Sequence, residues 1–155
     1  NYELVKHLNL RTAYKYYDIQ TDYLSGGYQR PLQAKHRFFG NLGYETHIAN
    51  KGKQWKFDYT FNWLGKQQLP NTATNPAKDR LAEYSPSFSV MNMQVTRTFS
   101  STFEIYIGGE NIGNYKQDHV ILGNKNPFGP TFDASIVYGP VFEQMYYAGL
   151  RFKIK

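Results

Sequence analysis

Gln54-Trp55-Lys56-Phe57-Asp58-Tyr59-Thr60-Phe61-Asn62-Trp63-Leu64 is the stretch that decides the fold. From Trp55 to Trp63 every odd position is aromatic, and the even positions between them are Lys, Asp, Thr and Asn. Side chains on a strand alternate between faces, so the aromatics share one face and the polar groups the other. A helix would scatter the same residues around its circumference. The segment reads as a strand.

Working outward, the same period of two recurs in segments of about ten residues. Residues 7–19 set Leu8, Leu10, Thr12, Tyr14 and Tyr16 against Asn9, Arg11, Ala13 and Lys15. Residues 36–47 set Phe38, Gly40, Leu42 and Tyr44 against Arg37, Phe39, Asn41 and Glu45. Residues 88–99 set Met91, Met93, Val95 and Phe99 against Asn92, Gln94, Thr96 and Thr98, with Arg97 an exception near the strand end. Residues 102–111 oppose Phe103, Ile105 and Ile107 to Glu104, Tyr106 and Glu110. The last segment, 142–154, opposes Phe142, Tyr146, Ala148, Leu150, Phe152 and Ile154 to Glu143, Met145, Tyr147, Arg151 and Lys153.

The connections alternate as regularly. Asn50-Lys51-Gly52 and Ser100-Ser101 mark short turns, whereas 20–35, 65–87 and 112–141 are long and hold all seven prolines. Proline is expected where no ladder hydrogen bond must be donated. Short turns at one end and long loops at the other describe an all-β, antiparallel up-and-down meander of about six strands.

Composition narrows the setting. The chain has 155 residues, 18 Lys+Arg against 12 Asp+Glu for a net charge of +6, and no cysteine. A disulfide framework, thiolate metal sites and a cysteine nucleophile are thereby excluded. No run of about 18 apolar residues offers a transmembrane helix. The opening Asn1-Tyr2-Glu3-Leu4 lacks a basic n-region and an apolar h-region, so it does not read as a signal peptide. Aromatics make up 17% of the residues beside a mean hydropathy of −0.63. A lipid-facing aromatic side and a wet polar side reconcile the two values. About ten residues at ~3.3 Å, tilted ~40–45°, rise roughly 24 Å, the height of the apolar band of an outer-membrane barrel. Arg11, Lys15, Arg37, Glu45, Lys56, Asp58, Glu104 and Glu110 then face a hydrated lumen. Six strands cannot close such a barrel, whose smallest form has about eight. The chain therefore reads as one part of a larger barrel.

Particular residues sharpen this. Tyr106-Ile107-Gly108-Gly109-Glu110-Asn111-Ile112-Gly113-Asn114-Tyr115 resembles a stretch of the penultimate strand in TonB-dependent outer-membrane receptors. Tyr138-Gly139-Pro140 followed by Tyr147-Ala148-Gly149-Leu150-Arg151-Phe152 is similar to their closing strand, particularly in Bacteroidetes members. Asn126-Pro127-Phe128-Gly129 and Phe132-Asp133-Ala134-Ser135 fit the last outer loop of that group. The resemblance spans residues 1–155 and implies the last part of a roughly 22-stranded transmembrane β-barrel. It implies active import of a scarce nutrient, such as a ferric siderophore, haem or cobalamin, driven by the TonB complex. The implied partners are a plug domain and the earlier barrel strands of the same receptor, the TonB complex, lipid and lipopolysaccharide, and a small-molecule or metal-chelate substrate. The implied location is the outer membrane of a Gram-negative bacterium. The aromatic that closes such barrels is displaced here, with Phe152 three residues before Lys155.

No enzyme is expected. No serine lies in a G-x-S-x-G elbow, and the glycines at 108, 109 and 113 do not open a helix after a strand, so neither a triad nor a cofactor phosphate loop is indicated. His7, His36, His47 and His119 occur at no metal-ligand spacing, so no metal or cofactor is expected. The Lys and Arg residues form no single stripe, which argues against nucleic acid. Arg30, Lys35, Lys66, Arg80, Lys116 and Lys125 lie on or near the long loops, where they would attract anions. Arg80, Tyr115, Lys116, Asp118 and His119 are the candidate ligand contacts, and Trp55, Trp63 and Phe152 the candidate membrane-interface aromatics. Two other readings use the same alternation: a soluble lipocalin-like barrel with the aromatic face lining a pocket, and a passive porin-type barrel.

Overall fold

Strand pairing follows chain order almost without interruption. In the computed structural model, which describes residues 2–23, 26–49 and 52–154, the strands are β1 (Tyr2–Val5), β2 (Leu8–Tyr16), β3 (Gln20–Tyr23), β4 (Gly26–Gln29), β5 (His36–Glu45), β6 (Gln54–Leu64), β7 (Phe88–Thr98), β8 (Phe103–Glu110) and β9 (Met145–Phe152). Seven of them form one sheet in the order β1-β2-β5-β6-β7-β8-β9, and β3 pairs with β4 as a separate hairpin. Every neighbouring pair is antiparallel.

The registers place like with like. One row runs Leu8, Tyr44, Phe57, Val95, Ile107, Ala148; the next runs Leu10, Leu42, Tyr59, Met93, Gly109, Tyr146. Between them lies a polar row of Asn9, Gly43, Asp58, Gln94, Gly108 and Tyr147 on the other face. In the middle of the sheet burial runs opposite to that of a water-soluble sheet: Met93 is 47% and Ile107 58% exposed on the aromatic face, whereas Thr96 is 6% and Glu104 7% exposed on the polar face. On β2 the polar Arg11 and Lys15 are exposed as well. A curled sheet crowds the side chains on its inner side and spreads those on its outer side. The polar face is the inner one, and a cavity of about 410 Å³ lies along it.

The buried apolar core sits elsewhere, in the long connections. Leu69, Leu122 and Ile136 pack together with Leu32, Leu81 and Tyr138. All three long connections leave the sheet at the end marked by Tyr16, Leu64 and Glu110, and the short turns lie at the other end.

Several boundaries differ from those read in the sequence. The main sheet has seven strands where about six were expected, because β1 is too short to display an alternation. Its return to β2 is a tight turn in which His7 takes φ 72° and donates its amide to Glu3 Oε1 at 2.9 Å. The expected loop 20–35 contains the β3–β4 hairpin. The expected strand 142–154 begins only at Met145, because its preceding backbone groups are engaged by side chains: Phe142 O accepts from Asn111 Nδ2, and Gln144 N donates to Asn114 Oδ1. The Ser100-Ser101 turn is present, with the Ser100 hydroxyl accepting the amides of Thr102 and Phe103. Asn50 and Lys51 of the other short turn, and Lys155, lie outside the described residues.

Between β8 and β9 two glycines are covered by tyrosines in reciprocal fashion. Gly108 lies opposite Tyr147, and Gly149 opposite Tyr106, each ring folded over the facing glycine. A Cβ on Gly108 would also come within 2.8 Å of the Met93 carbonyl oxygen, which is backbone and cannot swing away. Gly108→Val is expected to cost about 1–3 kcal/mol through this overpacking. Gly40→Ala, which meets only the mobile Phe38 ring at 3.4 Å, should cost far less. Urea unfolding of the two variants, each against the native protein, compares them.

Candidate functional site

The loop cap is built around the segment that follows β8. Asn111 and Asn114 both take φ 51°, a left-handed conformation that asparagine tolerates better than other L residues. The Asn111 carboxamide donates to the carbonyls of Tyr115 (2.7 Å) and Phe142 (3.3 Å) and accepts the Tyr115 amide at 3.1 Å. Its backbone N–H donates to Asn92 Oδ1 at 2.9 Å. Asn114 Oδ1 accepts the Gln144 amide at 2.9 Å. These two asparagines fasten the exit of β8 to the entry of β9. Tyr115 then stacks face to face on Phe88, with centroids 4.5 Å apart and planes 3° off parallel. Gly139 fits against both rings, where a Cβ would stand 3.2 Å from Tyr115 and 3.3 Å from Phe88.

Gln117, 2% exposed, ties the two arms of this loop together. Its Nε2 donates to Ile136 O at 2.8 Å, and its Oε1 accepts the amides of Tyr138 (2.8 Å) and Gly139 (3.1 Å). The 65–87 loop joins through Gln67, whose Nε2 donates to Tyr138 O at 2.8 Å, and through the Thr131 hydroxyl, which donates to Asp79 Oδ2 at 3.1 Å. Residue 34 bridges to residue 67, so the first long connection reaches the same cap.

The candidate ligand contacts divide. Lys116, Asp118 and His119 line one cavity of about 950 Å³, together with Lys78, Asp79 and Lys125. Lys116 Nζ lies 3.1 Å from Glu143 Oε1, and His119 takes φ 53°. Arg80 is apart from them, with its Nε donating to Asn75 O at 2.7 Å beside a separate hollow formed by Pro31, Leu69 and Leu81. Tyr115 is a packing residue. Burial pushes its phenol up, and the Tyr138 and Asp118 charges push the same way. Tyr138 is also raised, by burial first and by Asp118 second.

The three candidate membrane-interface aromatics lie at the two ends of the sheet. Trp55 and Trp63 share the aromatic face of β6 at its two ends, about 26 Å apart along an extended strand. Phe152 lies at the short-turn end beside Phe103, with centroids 6.5 Å apart. Arg97 places its guanidinium over the Trp55 ring at 4.8 Å.

The inner face is a polar trough braced across strands. Asn41 Nδ2 reaches Asp58 Oδ1 (3.1 Å) and Thr60 Oγ1 (3.0 Å), Gln54 Nε2 donates to Glu45 Oε2 (3.1 Å), and the Tyr147 hydroxyl donates to Gln94 Oε1 (3.0 Å). Arg151 pairs with the buried Glu104. Reading the sequence alone missed Gln117 and Gln67, since an isolated glutamine in a loop carries no periodic signal. Asn111 and Asn114 fall in the stretch that carries the family resemblance, and in the structure their side chains hold the chain.

Among the described residues no group of three or more His, Asp or Glu is placed to hold a metal ion. Compared with known protein families, curated proteins and solved structures, the chain matches none of them.

Two measurements probe the cap. Gln117→Ala strands buried amides and a carbonyl, each worth about 1–3 kcal/mol when unpaired. Proteolytic nicking within 112–141 is therefore expected to accelerate strongly, with Gln117→Glu, which keeps the acceptor, falling between. The Asp133 carboxyl is held below its ordinary range by the Ser135 hydroxyl and amide, both 2.7 Å away. Its contribution to loop stability is thus full above the ordinary carboxylate pKa and is lost as pH falls through the depressed folded value. Ser135→Ala should move the Asp133 carbon-13 titration upward and narrow that window.

Proposed function

We propose that this chain is a stretch of the wall of an outer-membrane β-barrel, the last part of a TonB-dependent receptor that imports a scarce nutrient into a Gram-negative cell. One observation carries the reading. In the middle of the sheet the apolar face exposes Leu42, Phe57, Met93 and Ile107, while the opposite face is polar, hydrogen-bonded across strands, and buries Gln54, Thr96 and Glu104. Lipid is the solvent that suits such an outer face, because exposed aromatic and aliphatic side chains cost nothing there and the backbone is paired within the sheet. The aromatic rows end in Trp55 and Phe152 at one rim and Trp63 at the other, as amphipathic rings do at membrane–water interfaces. Open edges at β1 and β9 fit a sheet continued by further strands.

The soluble lipocalin-like reading needs the aromatic face to line a pocket. The cavity along the sheet is lined instead by groups such as Arg11, Asn41, Lys56, Asp58 and Arg151. The loop cap at the long-loop end presents the cavity of Lys116, Asp118 and His119, where Lys116 is paired with Glu143 and Lys78 and Lys125 stand beside Asp79 and Asp118. Of these groups the amines of Lys78 and Lys125 suit the carboxylates of a chelate. Import, the plug, energy from the TonB complex and the choice among ferric siderophore, haem and cobalamin come to this chain from the resemblance of residues 106–115 and 138–152.

The 155 residues hold no cysteine, so with any cysteine elsewhere in the full-length protein replaced, single cysteines report each face. In the full-length protein in native membranes, a fluorophore on Phe57→Cys or Leu42→Cys is expected to be quenched by lipid-borne nitroxides. On Asn41→Cys or Thr60→Cys it should respond to aqueous iodide. Iodide quenching that is equal on both faces would overturn the membrane reading. Chelate uptake should stop when the proton-motive force is collapsed; uptake that persists would point to the passive pore.

A further inference from the structure

Arg97 is the one charged side chain on the aromatic face of the seven-stranded sheet. The carboxylates of these strands, Glu3, Glu45, Asp58, Glu104 and Glu110, all fall on the opposite face by register. Ion pairs among the described residues join Lys35 to Asp18, Lys116 to Glu143 and Arg151 to Glu104, and none involves Arg97. No carboxylate of the sheet is placed to pair with it.

The guanidinium is prepared for an anion. Arg97 is half-buried, one residue from the end of β7 at the short-turn rim. Its guanidinium carbon stands 4.8 Å from the Trp55 centroid and 5.7 Å from that of Phe99. Rings engage a guanidinium through their faces and accept none of its in-plane N–H bonds. The fork of donors stays available, in the geometry that binds phosphate through two parallel hydrogen bonds. Two aromatic neighbours restrict the side chain beforehand, so less entropy is lost on binding. A cation on a lipid-facing side is stable where it reaches the interface, and Arg97 stands at that level beside Trp55.

We propose that Arg97, flanked by Trp55 and Phe99, binds the phosphate of a phospholipid headgroup in the leaflet at the short-turn rim. This rests on the membrane reading above. The site takes an anionic or zwitterionic phospholipid, anchoring the sheet at a fixed depth.

The test is nitrogen-15 to phosphorus-31 dipolar dephasing on arginine-labelled full-length protein. In phosphatidylethanolamine–phosphatidylglycerol bilayers, a dephased guanidinium signal is expected that disappears in Arg97→Gln. Arg97→Lys, which keeps the cation and lacks the guanidinium, serves as the second comparison should the Gln variant fail to assemble. In phosphate-free glycolipid bilayers supplied with inorganic phosphate, the signal should be lost. Dephasing that persists there identifies a free-anion site and overturns the lipid assignment. Insertion is followed in parallel by nitroxide quenching at Leu150→Cys. Insertion without Arg97 dephasing overturns this inference and leaves the membrane reading standing; failure of the native protein to insert overturns both.

Discussion

Residues directly opposite in an antiparallel pair project to the same side of the sheet, and nearly everything else in the molecule depends on that parity being kept across six successive interfaces. From β1 to β9 the pairing mostly joins apolar positions to one another and polar positions to one another; the exceptions gather toward the rims, where Arg97 faces Trp55, Ser89 faces Trp63, and Phe39, Leu64 and Val90 fall on the polar side. One broken parity would turn a row of rings into the trough that Asn41, Asp58, Gln94 and Tyr147 occupy. The single irregularity, between Glu3 and Val5, falls on the edge strand, where only one neighbour must agree.

Among the described residues the buried apolar cluster lies away from the sheet, in the long connections. There Leu69, Leu122 and Ile136 close on one another, and buried amides are answered by Gln67 and Gln117. Long connections usually cost order. Here the asparagines at 111 and 114, the Tyr115–Phe88 stack and the bridge between residues 34 and 67 make a fixed cap of them.

The sheet was legible in the residues because alternation is a local signal repeated over nine or more positions. The Trp55–Trp63 run alone sets strand, faces and length. Where the signal is short it fails, as at Tyr2–Val5 and in the β3–β4 hairpin, four residues each. It also overran at 142–144, where alternation continues but asparagine side chains take the backbone groups. The site was legible only in part. Lys116, Asp118 and His119 are consecutive enough to stay together whatever the loop does, whereas Arg80 depended on how two distant loops meet. Arg97 looked like a blemish in its strand, because the rings that flank it, Trp55 and Phe99, lie on a neighbouring strand and beyond a strand end.

The reciprocal glycine–tyrosine pairs of β8 and β9 supply something that alternation lacks. Alternation rejects a slip of one residue, since faces would invert, but it is blind to a slip of two. Sliding β9 by two in one direction sets Tyr106 against Tyr147, ring upon ring; in the other it sets Gly108 against Gly149, leaving a gap. Only the native pairing gives each ring a vacancy to fill. The two strands therefore carry a proofreading key for their own alignment, written in side-chain volume and independent of hydrophobicity. Two strands whose outer faces pack against no second layer can use such a key to recognise the correct frame.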